Sequence, residues 1–277
     1  MGFRIATNIQ SIAAQRTLSQ QRSEQNHELE KLSSGERIVR AADDAAGLAI
    51  SEKFKAEIRS TGQASRNTQD AISLVQVAEG GLNEIGNILI RMRELSIQSA
   101  SDTIGDAERQ FTNKEVESLK AEISRIAEST RFNGMSLLNG QGENLEFQVG
   151  TGSNPERDRL MYDSKLLDAK ASALGVETIT TATRQDSQAN LEKLDSAIMA
   201  VSANRAQLGA MQNRLSSTMN NLMVSSENLS AANSRIRDTD IAASTAELTK
   251  RNILTQAGVA TLAQANQGST LALRLIG

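Results

Sequence analysis

A column of apolar residues spaced by seven runs through the C-terminal half of the chain: Leu194, Val201, Leu208, Leu215, Leu222, Leu229 and Ile236. Its companion column, Leu191, Ile198, Arg205, Gln212, Met219, Ser226 and Asn233, is part apolar and part polar. Two columns at alternating three- and four-residue spacing predict a coiled-coil stripe on a long helix, and the polar members fix register at some cost in stability. Similar stripes lie at Val75, Ala78, Leu82, Ile85, Leu89 and Met92, and at Val116, Leu119, Ile123 and Ile126. Three stripes predict a bundle. Gly35 after Lys31–Ser34 reads as a helix stop, and Asp43 or Asp44 as the start of the next helix. From there to about Ala100 only Gly47, Gly62, Gly80, Gly81 and Gly86 interrupt the pattern. Glycine weakens a helix by about 1 kcal/mol, so bends are expected near Gly62 and Gly80 without a chain reversal. At about 1.5 Å per residue the expected element is a rod of roughly 75 to 85 Å.

The middle of the chain changes character. Phe132–Gly152 is rich in Asn-Gly and Gly turns, and Leu145, Phe147 and Val149 alternate with polar residues, which predicts a small β element. Thr178–Thr183 reads as another strand or a loop. The reading is therefore a mainly α chain: a long antiparallel coiled-coil or helical-bundle rod with a small β-hairpin element at about 132–183.

Composition sharpens this picture. Aromatics make up 2% of the chain (Phe3, Phe54, Phe111, Phe132, Phe147 and Tyr162) and Trp is absent, so burial is expected in thin seams between helices instead of a thick aromatic core. The single proline, Pro155, agrees with long uninterrupted helices. Residues 1–42 hold few large apolar side chains: Met1, Phe3, Ile5, Ile9, Ile12, Leu18, Leu29, Leu32, Ile38 and Val39. Ordering each backbone residue costs about 1–2 kcal/mol, so so sparse a set is expected to leave this end disordered alone. The other end, with Leu248, Ile253, Leu254, Leu262, Leu271, Leu273, Leu275 and Ile276, is sparse in the same way. Both ends are expected to fold on meeting each other and neighbouring copies.

A net charge of −3 with interspersed signs offers no basic stripe, so nucleic acid and anionic lipid are set aside as partners. No stretch has the apolar length of a membrane span, and Met1–Arg16 lacks the apolar core of a secretory signal. Ala6 stands where a myristoylation motif wants Ser or Thr. There is no cysteine. Catalysis has little to work with. His27, the only histidine, reads as an exposed helix residue, and Asp43 with Asp44 reads as helix capping before it reads as a carboxylate pair. Gly140-Gln141-Gly142 and Gly150-Thr151-Gly152 lack the following Lys-Ser/Thr of a nucleotide loop. Glu115, Glu117, Glu122 and Glu128 alternate with Lys114, Lys120 and Arg125, a salt-bridged solvent face more than a cation site. No catalytic residue, metal or cofactor is expected.

Taken in order, the motifs resemble bacterial flagellin over nearly the whole chain. They are LSSGERIVRAADDAAGLAISEK (Leu32–Lys53), RNTQDAISLVQVAEGGL (Arg66–Leu82), RMRELSIQSA (Arg91–Ala100), FNGMSLLNG (Phe132–Gly140), NRAQLGAMQNRL (Asn204–Leu215), SENLSAANSRIRDTDIA (Ser226–Ala242) and LAQANQ (Leu262–Gln267). The resemblance implies a self-assembling subunit of the flagellar filament used for swimming. Residues 1–42 and 237–277 would pair as an inner coiled layer lining a central channel, with 43–236 as a helical bundle outside it. The family's large variable outer domains have no counterpart in this sequence. Assembly is expected through Ile5, Ile9, Ile12, Leu18, Leu254, Leu262, Leu271 and Leu275. The implied location is extracellular, reached unfolded through the flagellar channel without a cleaved signal. Implied partners are further copies, an export chaperone, hook-junction and cap proteins, and an innate-immune Toll-like receptor at Arg91, Leu95 and Glu122. Ile90 stands where detected members often carry Gln, and the bland alternative is that Leu95 packs between helices. Two other readings stay open here: a hook-filament junction protein of the same superfamily, and a helical signalling module of chemoreceptor type, against which the β element argues.

Overall fold

The computed structural model describes residues 7–274, with side chains as far as Gln267. Packing divides the chain into two units: one made from the two ends, up to Ile58 and from Asn228 onward, and one from Arg59–Glu227. The boundaries expected at 42 and 237 coincide with breaks between helices, whereas packing carries the end unit further into both neighbouring helices.

In the end unit, helix α1 (Ile9–Ser34) starts at Asn8, whose side-chain oxygen accepts from the Ser11 amide. It stops where the sequence says it should. Gly35 adopts φ 71°, a left-handed conformation that glycine enters without a Cβ clash, and its N–H donates to the Lys31 carbonyl. Helix α2 (Ala45–Ser99) begins at Asp44, whose Oδ1 accepts from the Gly47 amide at 2.8 Å. Helix α5 (Arg184–Arg237) ends three residues before α6 (Ile241–Arg274), whose start is capped by Asp240 Oδ1 accepting from the Ala242 and Ala243 amides.

The second unit holds the core. The α2 stripe, Val75, Ala78, Leu82, Ile85, Leu89 and Met92, is buried throughout, as are Val116 and Ile123 of helix α3 (Asp106–Ser129) and Leu194, Val201, Leu208 and Leu215 of α5. The remaining members of the α5 column, Leu222, Leu229 and Ile236, are half-buried, so the seven-residue column is continuous in sequence but its dry part ends at Leu215. Helix α2 is helical through Gly62, Gly80, Gly81 and Gly86. At Gly81 a Cβ would come within 2.7 Å of Thr130 Oγ1 and 2.8 Å of Leu138 Cδ1, so this glycine is fixed by close packing.

The β element proves to be two hairpins. Strands β1 (Arg131–Phe132) and β2 (Met135–Ser136) pair through the turn Asn133-Gly134, with φ 49° and 82°. Positive φ at both central residues is the hairpin turn for which Asn-Gly is the preferred sequence. Strands β3 (Leu145–Gln148) and β4 (Arg159–Tyr162) pair antiparallel, in the register Leu145 with Tyr162. Between them a short helix, α4 (Pro155–Asp158), places Pro155 in its first turn, where its missing N–H costs nothing. Thr178–Thr183 forms a loop and no strand. The reason is local: Asn113 Oδ1 accepts from Thr180 Oγ1 and the Thr181 amide, and Asn190 donates to the Thr180 carbonyl, so side chains take the bonds a ladder would use. Tyr162 is the one fully buried aromatic among the described residues. Its hydroxyl donates to the Leu137 carbonyl at 3.0 Å, and burial pushes its pKa above the usual phenol value.

Truncating a core side chain loses both its transfer energy and the packing around the void. Leu89→Ala is expected to cost about 2–5 kcal/mol of the stability of this unit, and Leu222→Ala much less, measured by thermal or denaturant unfolding.

Candidate assembly surface on the terminal helices

Helices α1 and α6 run against each other, and the contact between them is largely polar. Asn8 Nδ2 donates to the Ala265 carbonyl at 2.9 Å, Ser11 bonds Asn266 at 2.8 Å, and Gln25 bonds Asn252 at 2.5 Å. The Arg251 guanidinium reaches Gln21 at 3.1 Å, Glu247 at 2.7 Å, and Glu24. Leu18 is the single large apolar side chain of α1 that is buried, and it sits over Gly258, where a Cβ would come within 3.2 Å of Leu18 Cδ1. Glycine there lets the helices approach.

The apolar side chains point elsewhere. Ile9 is 64% exposed, Ile12 57%, Ile253 60% and Val259 47%. Leu29, Ile241 and Leu254 are exposed as well. Of the residues expected to carry assembly, Ile9, Ile12 and Leu254 are therefore open, Leu262 is half-buried and Leu18 is buried. Ile5 and Leu275 lie outside the described residues, as does the side chain of Leu271. Isolated exposed apolar residues are ordinary; several on one pair of helices make this pair the candidate contact surface.

The breaks at 35–44 and 237–240 are tied together. The Arg37 amide donates to the Arg237 carbonyl at 2.6 Å, and the Thr239 amide to the Gly35 carbonyl at 3.0 Å. Arg237 lies between Glu36, at 2.9 Å, and Glu52, at 2.5 Å, and these carboxylates, Glu36 first, raise its pKa. Ser51 donates to Asn233 Oδ1 at 2.8 Å beside it. His27 differs from its expected role as an exposed helix residue. It is half-buried, with Nε2 2.9 Å from Asp43 Oδ1. The other oxygen of Asp43 accepts from the amides of Arg40, at 2.9 Å, and Val39, at 3.0 Å. The Arg40 amide is the main cause of the lowered Asp43 pKa. Capping thus falls to Asp44, while Asp43 closes the loop onto α1.

The expected receptor residues are dispersed between surface and core. Arg91 is exposed and bonds Glu94 and Glu115, Glu122 pairs with Arg125, and Leu95 is buried in the core. Three glutamates of α3 are matched by cations: Glu115 by Arg91, Glu117 by Lys120 at 2.7 Å, and Glu122 by Arg125. Gly140, Gly150 and Gly152 lie against the carboxylates of Asp168 and Asp158, which makes them close-packed turns. Among the described residues no helix is long and apolar enough to cross a membrane, and no cluster of His, Asp or Glu could hold a metal ion.

Residues 5–143 match the bacterial flagellin N-terminal helical region, and residues 191–276 the bacterial flagellin C-terminal helical region. Over 97% of its length the chain is 46% identical to a flagellin of Halalkalibacterium halodurans, covering 98% of that protein. It is 42% identical to the flagellin of Bacillus subtilis, covering 99% of this chain and all of that one, and 42% identical to the flagellar filament 33 kDa core protein of Treponema phagedenis, covering 97% and 98%. Among solved structures, Bacillus cereus flagellin superimposes with a TM-score of 0.50 at 34% identity, covering 61% of this chain and 94% of that one.

The Asp43 carboxylate titrates below its ordinary range in the folded chain. Its contribution is therefore complete above about pH 4 and is lost as pH falls through the folded-state value. Protection of the Val39 and Arg40 amides, taken relative to the intrinsic exchange rate at the same pH, is expected to fall on acidification through that value, and Asp43→Ala to lower it at neutral pH.

Proposed function

The chain belongs to the bacterial flagellin family, whose members polymerise in many copies into the flagellar filament, an extracellular appendage, and we propose that the outward apolar residues of α1 and α6 carry the contacts between copies. One observation carries this reading: the α1–α6 seam is built from hydrogen bonds and ion pairs, while Ile9, Ile12, Ile253, Leu254 and Val259 face away from it. An isolated pair of this kind gains little from burial. Neighbouring copies supply the missing apolar partner, and association by burial of such surface is the favourable term that orders the ends.

In this reading residues 1–42 and 237–277 form the inner layer and 43–236 the outer bundle. Ends that are unstable alone also suit passage of an extended chain through the flagellar channel, handed on by an export chaperone and received by hook-junction and cap proteins. On the Arg59–Glu227 unit a Toll-like receptor would read the charges of Arg91 and Glu122, with Leu95 acting by packing α2 from beneath.

Removal of residues 1–35 or 238–277 is expected to abolish filaments seen by electron microscopy while leaving the Arg59–Glu227 unit folded by circular dichroism. Long filaments from either truncated chain would overturn the reading. The single change Ile12→Asp is expected to raise the concentration at which polymer appears, measured by sedimentation.

A further inference from the structure

The α1–α6 pair carries a groove on one flank. Ala14, Gly258 and Ala265 line it together with the side chains of Gln10, Ala13, Thr17, Thr261 and Gln264. None of these residues is charged, and the stretches 7–15 and 252–267 that supply most of them contain no charged residue at all. Elsewhere on the same pair the charges are dense, from Arg22 to Arg40 and from Arg235 to Arg251. A partner entering the groove therefore has no charge to desolvate on this side and no charge to pair with, which favours an uncharged side chain small enough to reach Ala13, Ala14, Gly258 and Ala265.

This chain presents such a partner. A helix turns about 100° per residue, which sets Ile12 about 150° from the mean direction of Gln10, Ala13, Ala14 and Thr17. On α6 the same geometry sets Val259 about 150° from the mean direction of Gly258, Thr261, Gln264 and Ala265. Both side chains are exposed, and both fall on the flank of the pair opposite the groove. One flank is concave, with Ala13, Ala14, Gly258 and Ala265 among its lining; the other bears Ile12 and Val259 as the two exposed knobs of a broken apolar ridge.

We propose that the ridge of Ile12 and Val259 on one copy seats in the groove between α1 and α6 of the next. The inference rests on the proposed role of the terminal helices and specifies it further. Two different, complementary flanks make a heterologous contact, which repeats without closing unless the rotation happens to form a ring, so it generates an open polymer. A groove meeting a second groove would close as a dimer and stop. The small side chains of the floor let a β-branched knob approach the helix backbones, the packing by which one helix inserts between two others.

The chain has no cysteine, so a single introduced thiol reports one position. Thr17→Cys marks the groove and Val259→Cys the ridge. Filaments grown from an equal mixture of the two full-length variants and treated with a short bismaleimide are expected to yield a covalent dimer on a denaturing gel. That band is expected to be lost in filaments of either variant alone. A dimer from Thr17→Cys filaments alone, or no dimer from mixed filaments that form normally, overturns the groove contact. Ala13→Cys with Ile12→Cys gives a second pair with the same readout, should the first fail to polymerise. Failure here is distinct from failure of the broader reading: unlinked but normal filaments reject this contact, whereas filaments from end-truncated chains reject the role of the terminal helices.

Discussion

The structure turns on the poverty of apolar burial between α1 and α6. Leu18 over Gly258 is the dry centre of that seam, and hydrogen bonds from Asn8, Ser11, Gln25 and Arg251 make up much of the rest. A hydrogen bond in exchange with water contributes about 1 kcal/mol net, far less than a fully buried leucine with its void-free surroundings. The Arg59–Glu227 unit has the opposite balance, with continuous buried stripes on α2, α3 and α5 closed by the hairpins and by Tyr162. One unit is complete in itself. In the proposed reading the other is completed by association, which would be the physical basis of a subunit that polymerises.

Much of this was legible in the sequence because it is local. Gly35 stops α1 for a reason confined to one residue's φ, and Asn133-Gly134 makes a hairpin turn for a reason confined to two. The α2 stripe is buried as its spacing demands, since six apolar residues on one helical face have few alternatives. Flagellin motifs at both ends gave the family, and matches to both helical regions agree.

What escaped the sequence depends on distant partners. The leucine column of α5 carries no mark at Leu215 to say that its cover ends there. The pairing of β3 with β4 joins residues across a helical turn and a glycine-rich bend, so alternation alone exposed only the first strand. His27 stood in a polar run and read as solvated, because its partner Asp43 lies beyond the end of the helix. Arg237 sits in a motif that signals family but not geometry; its position between Glu36 and Glu52 appears only once both helical breaks lie side by side. Gly258 carries no sign in the sequence for a similar reason, since its value lies in a leucine from the opposite end of the chain.

The polar character of the α1–α6 seam also governs what happens when it opens. Water can replace each of the donors and acceptors at Asn8, Ser11, Gln25 and Asn252 with little loss. Unzipping the two helices therefore uncovers little new adhesive surface beyond Leu18 and the half-buried Leu32, Leu248 and Leu262. These two helices can be pulled apart and held extended in crowded surroundings without acquiring the sticky faces that make unfolded domains clump.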